Sequence, residues 1–167
     1  MTIDWRSMME KELMFSEDKQ DIEILELVVG GISYGININD VKEIIPYEKK
    51  FTRIPGAHPH IEGIIMPRDF IVTIVDLLAS LKLVDSGDVK NEMLIVTNIQ
   101  NMNIGFHVDR VKGIHRTTTD SLRKPGKKRS TSVKDAIVAI LSTNNGDIEV
   151  LELRNIISSI NPEMVFV

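Results

Sequence analysis

The sequence predicts an all-β fold with short helices, built from two copies of one unit. Three observations carry this. First, apolar residues alternate in short runs broken by turn residues: Leu25, Leu27 and Val29, then Gly30-Gly31, then Ile32, Tyr34, Ile36 and Ile38, which is the pattern of a tight hairpin. Second, two β-branched runs, Ile61–Ile65 and Phe70–Val75, flank the polar break Met66-Pro67-Arg68-Asp69; they predict a hairpin buried on both faces with Arg68 near its tip. Third, the chain repeats itself. A shift of seventy residues lays Leu25 on Ile95, Val29 on Ile99, Gly35 on Gly105, Ile36 on Phe106 and Val41-Lys42 on Val111-Lys112. A shift of seventy-six lays Ile61 on Ile137, Ile64 on Ile140, Ile74 on Val150 and Leu77 on Leu153. The extra residues fall near the loop 123–135, where lengthening costs little. Many short strands with little helix point to small barrels.

In chain order, residues 1–20 are an N-terminal arm: a helix over 2–16 with Trp5, Met8, Met9 and Leu13 toward one side, then a polar linker. The first barrel runs over about 21–84. After its first hairpin, Asn39 or Asp40 caps a single helical turn bearing Val41, Ile44 and Ile45, which Pro46 limits. A long connection with Pro55, Gly56 and Pro59 leads to the hairpin at 61–77, where Asp76 caps a short helix carrying Leu77, Leu78 and Leu81. The polar stretch 85–91 divides the chain, and the second barrel covers about 85–160. Asn145-Gly146 marks its last hairpin as a type I′ turn. A closing helix carries Leu153, Ile156, Ile157 and Ile160, and 161–167 are a tail. If the two units share one core, neither half folds alone.

Composition narrows the function. The 167 residues include no cysteine, which excludes disulfides, thiolate catalysis and cysteine-ligated zinc. No signal peptide opens the chain and no apolar run reaches the ~20 residues that span a bilayer, so a cytoplasmic protein without direct membrane insertion is expected. A net charge of −4 argues against nucleic acid as the main partner. The basic loop with Arg123, Lys124, Lys127, Lys128, Arg129 and Lys134 lacks the interleaved aromatics of a nucleic-acid site and reads as a solvated loop. His58, His60 and Glu62 alternate as metal ligands can, but Pro59 and Gly63 make a structural role the better reading. His107 and His115 read as satisfied histidines. No nucleophile elbow, phosphate loop or carboxylate pair is present. The expectation is a binding module with no catalytic residue, metal or cofactor.

From about Glu23 to Ile160 the chain resembles the CheW-like coupling domain of bacterial chemotaxis, through Tyr34-Gly35-Ile36, Val41-Lys42-Glu43-Ile44-Ile45, Arg53-Ile54-Pro55, Ile61-x-Gly63, Arg68 and Ile74-Val75-Asp76-Leu77. Ala57 to Ile65, Phe106-His107-Val108-Asp109 and Ile114-His115-Arg116 resemble the CheV branch in particular. The resemblance implies two five-stranded SH3-like barrels on a shared core. It also implies an adaptor, not an enzyme, joining the cytoplasmic tip of chemoreceptors to the regulatory domain of the histidine kinase CheA. Such an adaptor is a scaffold within a two-component system, cytoplasmic and held at receptor arrays through its partners. CheV proteins add a receiver domain after this one, which residues 1–167 do not include, so a shortened CheV protein and a stand-alone adaptor both stay open. Val41, Glu43, Ile44, Ile45, Pro67, Arg68 and Asp69 are the partner-binding residues the resemblance suggests. Its usual Leu-Arg-Gly tip is replaced by Pro67-Arg68-Asp69. An arginine on an apolar hairpin needs an anion; Asp69 points away if the pleat holds, and the resemblance, whose pattern keeps an acidic residue at the position of Glu43 and an arginine at that of Arg68, implies Glu43 as the partner. Two other readings compete. One is a regulatory domain detached from a CheA-like kinase, disfavoured by the initiating Met1 and the CheV-like start. The other is a nucleic-acid-binding pair of small barrels using the loop 123–134.

Overall fold

The computed structural model describes residues 19–85, 87, 89–126 and 135–161. The helix expected over 2–16, most of the basic loop and the residues after Asn161 lie outside the described residues. β1 (Asp21–Val29) and β2 (Ile32–Asn37) pair antiparallel with Leu25 opposite Ile36. They turn on Gly30 and Gly31, both left-handed (φ 59° and 77°), as a type I′ turn demands. β6 (Met93–Ile99) and β7 (Met102–Val108) repeat this arrangement. There Gln100 and Asn101 hold the left-handed positions (φ 50° and 62°).

β3 (Val41–Pro46) is a strand, not the expected helical turn. The side chain of Asn37 accepts from the backbone N–H of Asn39 at 3.0 Å, so the turn comes earlier, as one 3₁₀ turn over Ile38–Asp40. The β-branched Val41, Ile44 and Ile45 then favour an extended backbone. β4 (Ile61–Ile65) and β5 (Val72–Asp76) form the second hairpin. It is buried mainly along β5: in β4, the last strand of its sheet, Gly63 alone is buried, and Ile71, 54% exposed, lies in the connection. Asp76 caps α1 (Leu77–Ser80) by accepting from the N–H of Ala79 at 3.3 Å, as expected. β8 (Arg110–Thr118), the two-residue β9 (Leu122–Arg123), β10 (Ile137–Thr143), β11 (Gly146–Leu151) and α2 (Leu153–Ile160) complete the chain. Gly146 (φ 115°) opens β11, and Asn145 is not left-handed, so the last hairpin is present without a type I′ turn.

Among the described residues the strands form two sheets, ordered β8-β1-β2-β11-β10-β9 and β3-β6-β7-β5-β4. The sequence repeat carries one order onto the other: β1 matches β6, β2 matches β7, β3 matches β8, β4 matches β10 and β5 matches β11. Even the outermost link recurs, Arg123 opposite Ile140 in one sheet and Thr52 bridging Ile64 in the other. Neither sheet, however, is one half of the sequence. The six-stranded sheet takes β1 and β2 from before residue 85 and the rest from after it; the five-stranded sheet takes β3, β4 and β5 from before and β6 and β7 from after. The division at 84/85 is therefore a boundary between repeats and not between sheets. The halves interlock through the parallel pairs β5–β7, with Ile74 opposite Gly105, and β11–β2, with Val150 opposite Gly35. Apolar periodicity reports which face of a strand is buried, not which strand lies beside it.

Both faces of the inner strands are apolar, and each face has its own core. Leu25, Tyr34 and Ile36 of one sheet meet Val75, Ile95 and Phe106 of the other in a shared core that Leu77, Leu153 and Ile156 of the helices complete. The alternate face of the six-stranded sheet encloses Ile24, Leu141, Ile148 and Val150. That of the five-stranded sheet encloses Val72, Ile74, Leu94 and Val96. Gly35 and Gly105 sit at equivalent points of these smaller cores. A Cβ on Gly35 would lie 2.5 Å from Ile24, and one on Gly105 would lie 2.9 Å from Leu94. A buried ion pair also ties the halves: the guanidinium of Arg154 donates to both oxygens of Asp40 (2.9 and 3.1 Å) and to Glu152 (3.0 Å).

Candidate partner-binding site

Among the described residues β3 is an outer strand, paired to β6 on one side only, so it presents backbone groups and alternate side chains at a sheet edge. The sheet rolls until its two outer strands approach, and side chains span the gap. The hydroxyl of Tyr47, just after β3, donates to Glu62 of β4 at 2.5 Å. Arg68, in the β4–β5 connection, donates to Glu43 of β3. Lys42 stands 3.8 Å above the ring of Phe70, with the Arg68 guanidinium 5.6 Å from the same ring. Beside these contacts a groove of about 870 Å³ remains open, lined by Ile45, Tyr47, Phe51, Met66, Pro67 and Ile71 among others.

The structure joins the expected pair Arg68–Glu43 and sorts the remaining residues. Glu43 is largely covered and Arg68 largely exposed (side chains 21% and 62%). The second carboxylate oxygen of Glu43 is buried and has no hydrogen-bond partner among the described residues. Val41 packs against the shared core and Ile45 against the smaller core of its sheet. Of the three apolar residues, only Ile44, 37% exposed, faces outward. Pro67 and Arg68 line the groove, and Asp69 is exposed beside them. Sequence reasoning did not single out Lys42, Phe70, Met66 or Ile71 for this surface. Met66 and Ile71 are 63% and 54% exposed. Met66 opens the polar break and Ile71 lies two residues beyond its end, positions that could have marked them as its apolar rim.

A hydrogen-bond network backs the groove. His107 of β7 lies between two carboxylates, Nδ1 2.7 Å from Glu62 and Nε2 against Glu92. The Tyr47 ring stacks on the imidazole with centroids 3.6 Å apart and planes 14° apart. Burial pulls this imidazole down, but Glu62 and Glu92 together outweigh it and hold it above the usual histidine value. Burial likewise pulls Glu62 up, while the hydrogen bonds from His107 and Tyr47 prevail and hold it low. Asp76 is raised by its burial and by the negative charge of Glu62. Glu62, Asp76 and His107 each bring a donor atom within 4.8 Å of the others. Glu62 is taken by Tyr47 and His107, and Asp76 by the cap of α1, so the cluster is a closed network. His58 and His60 are held together instead, the backbone N–H of His60 donating to the His58 ring at 3.0 Å. His115 is bonded to the largely buried Glu26 at 2.7 Å.

An interlocked pair of rolled sheets, with a salt-bridged outer strand beside a groove lined by both apolar and charged side chains, suits a class of protein that docks on others. The comparisons say which class. A family model described as the CheW-like domain matches residues 23–161, and the chain belongs to that family. It is similar to the chemotaxis protein CheW of Bacillus subtilis (strain 168), at 24% identity over 86% of this chain and 92% of the relative. It is also similar to the chemotaxis protein CheV3 of Helicobacter pylori, at 25% identity over 84% of this chain and 48% of that longer protein. The crystal structure of the scaffolding protein TtCheW from Thermoanaerobacter tengcongensis shares the fold, with a TM-score of 0.74 and 24% identity over 82% of this chain and 92% of that one. The chain is thus a chemotaxis coupling adaptor of the CheW-like family. Among the described residues no helix is long and apolar enough to cross a membrane.

Proposed function

We propose that this adaptor couples chemoreceptors to a CheA-type histidine kinase by protein contacts alone. The kinase's regulatory domain docks on β3 and the neighbouring β4–β5 connection, and the receptor's cytoplasmic tip is held in the same assembly. The adaptor then works in the cytoplasm, reaching the membrane only through its partners. The observation that carries the reading is the outward face of β3. Ile44 projects from a half-paired strand whose flank is fixed by Glu43–Arg68. An exposed apolar residue on a strand edge, rimmed by charges, is a surface for strand-to-strand docking. Pro67 and Arg68 continue it toward the groove.

Titration calorimetry of the full chain with a purified kinase regulatory domain tests it. Wild type is expected to bind, and Ile44→Asp to bind at least about tenfold more weakly, because one buried charge costs more than 1.4 kcal/mol. Ile44 is the site to change, since Ile45 packs into the core and Ile45→Asp would unfold the sheet. Equal affinity for wild type and Ile44→Asp, with an unchanged melting curve, would remove β3 from the interface.

A further inference from the structure

We propose that His107 is a protonation-controlled latch: its two-sided hydrogen-bonded clamp fixes the groove wall at Tyr47–Thr52 and the end of β3, and loss of its proton releases them. The consequence for partners rests on the docking reading above; the latch itself does not.

Both ring nitrogens of His107 face carboxylates, Glu62 at Nδ1 and Glu92 at Nε2. Only the imidazolium can donate from both. A neutral ring keeps one N–H, so one of the two carboxylates then faces a lone pair. The site is largely closed to water, with the His107 side chain 14% exposed, and an acceptor left facing an acceptor there must move. The groups packed around the ring are known from every side. Glu62 comes from β4, Asp76 from the end of β5, Glu92 from the residue before β6 and Tyr47 from the residue after β3. Farther out, Lys49 acts on Glu62, while Lys82 and His58 act on His60, the neighbour of Asp76. His107 is therefore the cation that stands directly between these carboxylates.

Tyr47 transmits the change. Its ring lies on the imidazole, its hydroxyl donates to Glu62, and its backbone N–H donates to the carbonyl of Glu92 at 3.0 Å. Two of these anchors run through the imidazole and the Glu62 carboxylate, and the third is a backbone bond to the residue that carries the second carboxylate. Tyr47 follows Pro46, the last residue of β3, and opens the segment that supplies Phe51 and Thr52 to the groove. When Glu62 and Glu92 repel one another or turn away, this segment loses its backing. Because the imidazole is held above its ordinary value of 6.5, the clamp is complete below that pH and is lost as pH rises through the raised value.

The test uses the isolated full chain and nuclear magnetic resonance from about pH 5 to about pH 9, following the histidine rings and the backbone amides together. The His107 midpoint is expected above 6.5, with the amides of Tyr47–Thr52 shifting at the same midpoint. Glu92→Gln, which removes one of the two anions, should lower that midpoint. In His107→Gln the same amides should stay in their high-pH positions at every pH. If that variant does not fold, Glu92→Gln decides. A His107 midpoint at or below 6.5, amides that ignore it, or a Glu92→Gln midpoint unchanged from wild type would overturn the latch. No partner is present, so these results stand or fall apart from the docking reading. In a second arm, affinity for the kinase regulatory domain should fall as pH passes the His107 midpoint. A pH-independent affinity, with the latch titrating normally, would refute its control of the partner surface.

Discussion

Replacing Arg154 by Met should be among the most destabilising single changes in the chain. Arg154 sits at the start of α2, after residue 85, and Asp40 ends the 3₁₀ turn before β3. Their side chains are 17% and 8% exposed. An exposed pair would be worth about 0–1 kcal/mol. Here removal of the guanidinium takes two donors from the covered carboxylate of Asp40 and leaves Glu152 with the backbone N–H of residue 154. Breaking a buried pair in this way costs about 3–5 kcal/mol. For a chain of this size each kcal/mol lowers Tm by about 2–4 °C, so the loss should be about 6–20 °C. Glu152 is already pushed up by burial, with Arg154 partly offsetting it. Without Arg154 the deficit should therefore deepen as pH rises through the carboxylate range. Calorimetric melting of wild type, Arg154→Met, Asp40→Asn and the double variant checks the reasoning. The double variant should be more stable than the sum of the single losses predicts, since it removes the stranded charge at position 40. A shift under about 2 °C for Arg154→Met, or strictly additive losses, would show that this pair does not hold the two halves together.

Four further outcomes follow from the same structure. Residues 1–84 and 85–167 expressed apart should each fail to melt cooperatively, because β3 loses its partner β6 and β5 loses β7; mixing them should restore a folded complex, and a cooperative single half would contradict the interlocked fold. Gly35→Ala should destabilise by about 1–3 kcal/mol by overpacking, because its Cβ would lie 2.5 Å from Ile24; a neutral result by chemical denaturation would mean that this small core is loose. Glu43→Ala and Arg68→Ala should each cost under about 1 kcal/mol of stability yet be non-additive in receptor-dependent kinase activation; strict additivity there would take the pair out of signalling. Glu26 and Glu62 are both held below their ordinary value, hydrogen bonds from His115 and from His107 and Tyr47 overcoming burial. Their stabilisation is present above about pH 4.5 and lost as pH falls through the lowered values, so Glu62→Gln should flatten the acid limb of the stability profile, and an unchanged limb would refute this.

Much of the fold is legible in the sequence because it depends on local chemistry. Gly30-Gly31 can turn a hairpin left-handed, Asp76 can cap α1, and Leu153, Ile156 and Ile157 share one side of α2. The repeat is legible too, since Leu25 and Ile95, or Ile36 and Phe106, meet as equivalents in the shared core. The exchange of strands between halves is not, because partner choice is settled by contacts far apart in the chain. The strand at Val41–Pro46 was hidden by its neighbours: Asn39 and Asp40 look like caps, but the side chain of Asn37 makes the turn first. Arg68–Glu43 could be anticipated because an arginine on an apolar hairpin requires an anion and the family pattern keeps an acidic residue at position 43. The network of Tyr47, Glu62, Glu92 and His107 could not, as its members lie on separate segments that only the rolled sheet brings together.

We propose β3 and the β4–β5 connection as the link between kinase and receptor. Its most direct measurement is kinase autophosphorylation in assemblies of receptor cytoplasmic fragments and a CheA-type kinase, with this chain added or withheld. Kinase activity should rise with wild type and stay at the receptor-plus-kinase baseline with Ile44→Asp, whose melting curve should match wild type. No rise with wild type, or an equal rise with Ile44→Asp, would contradict the account.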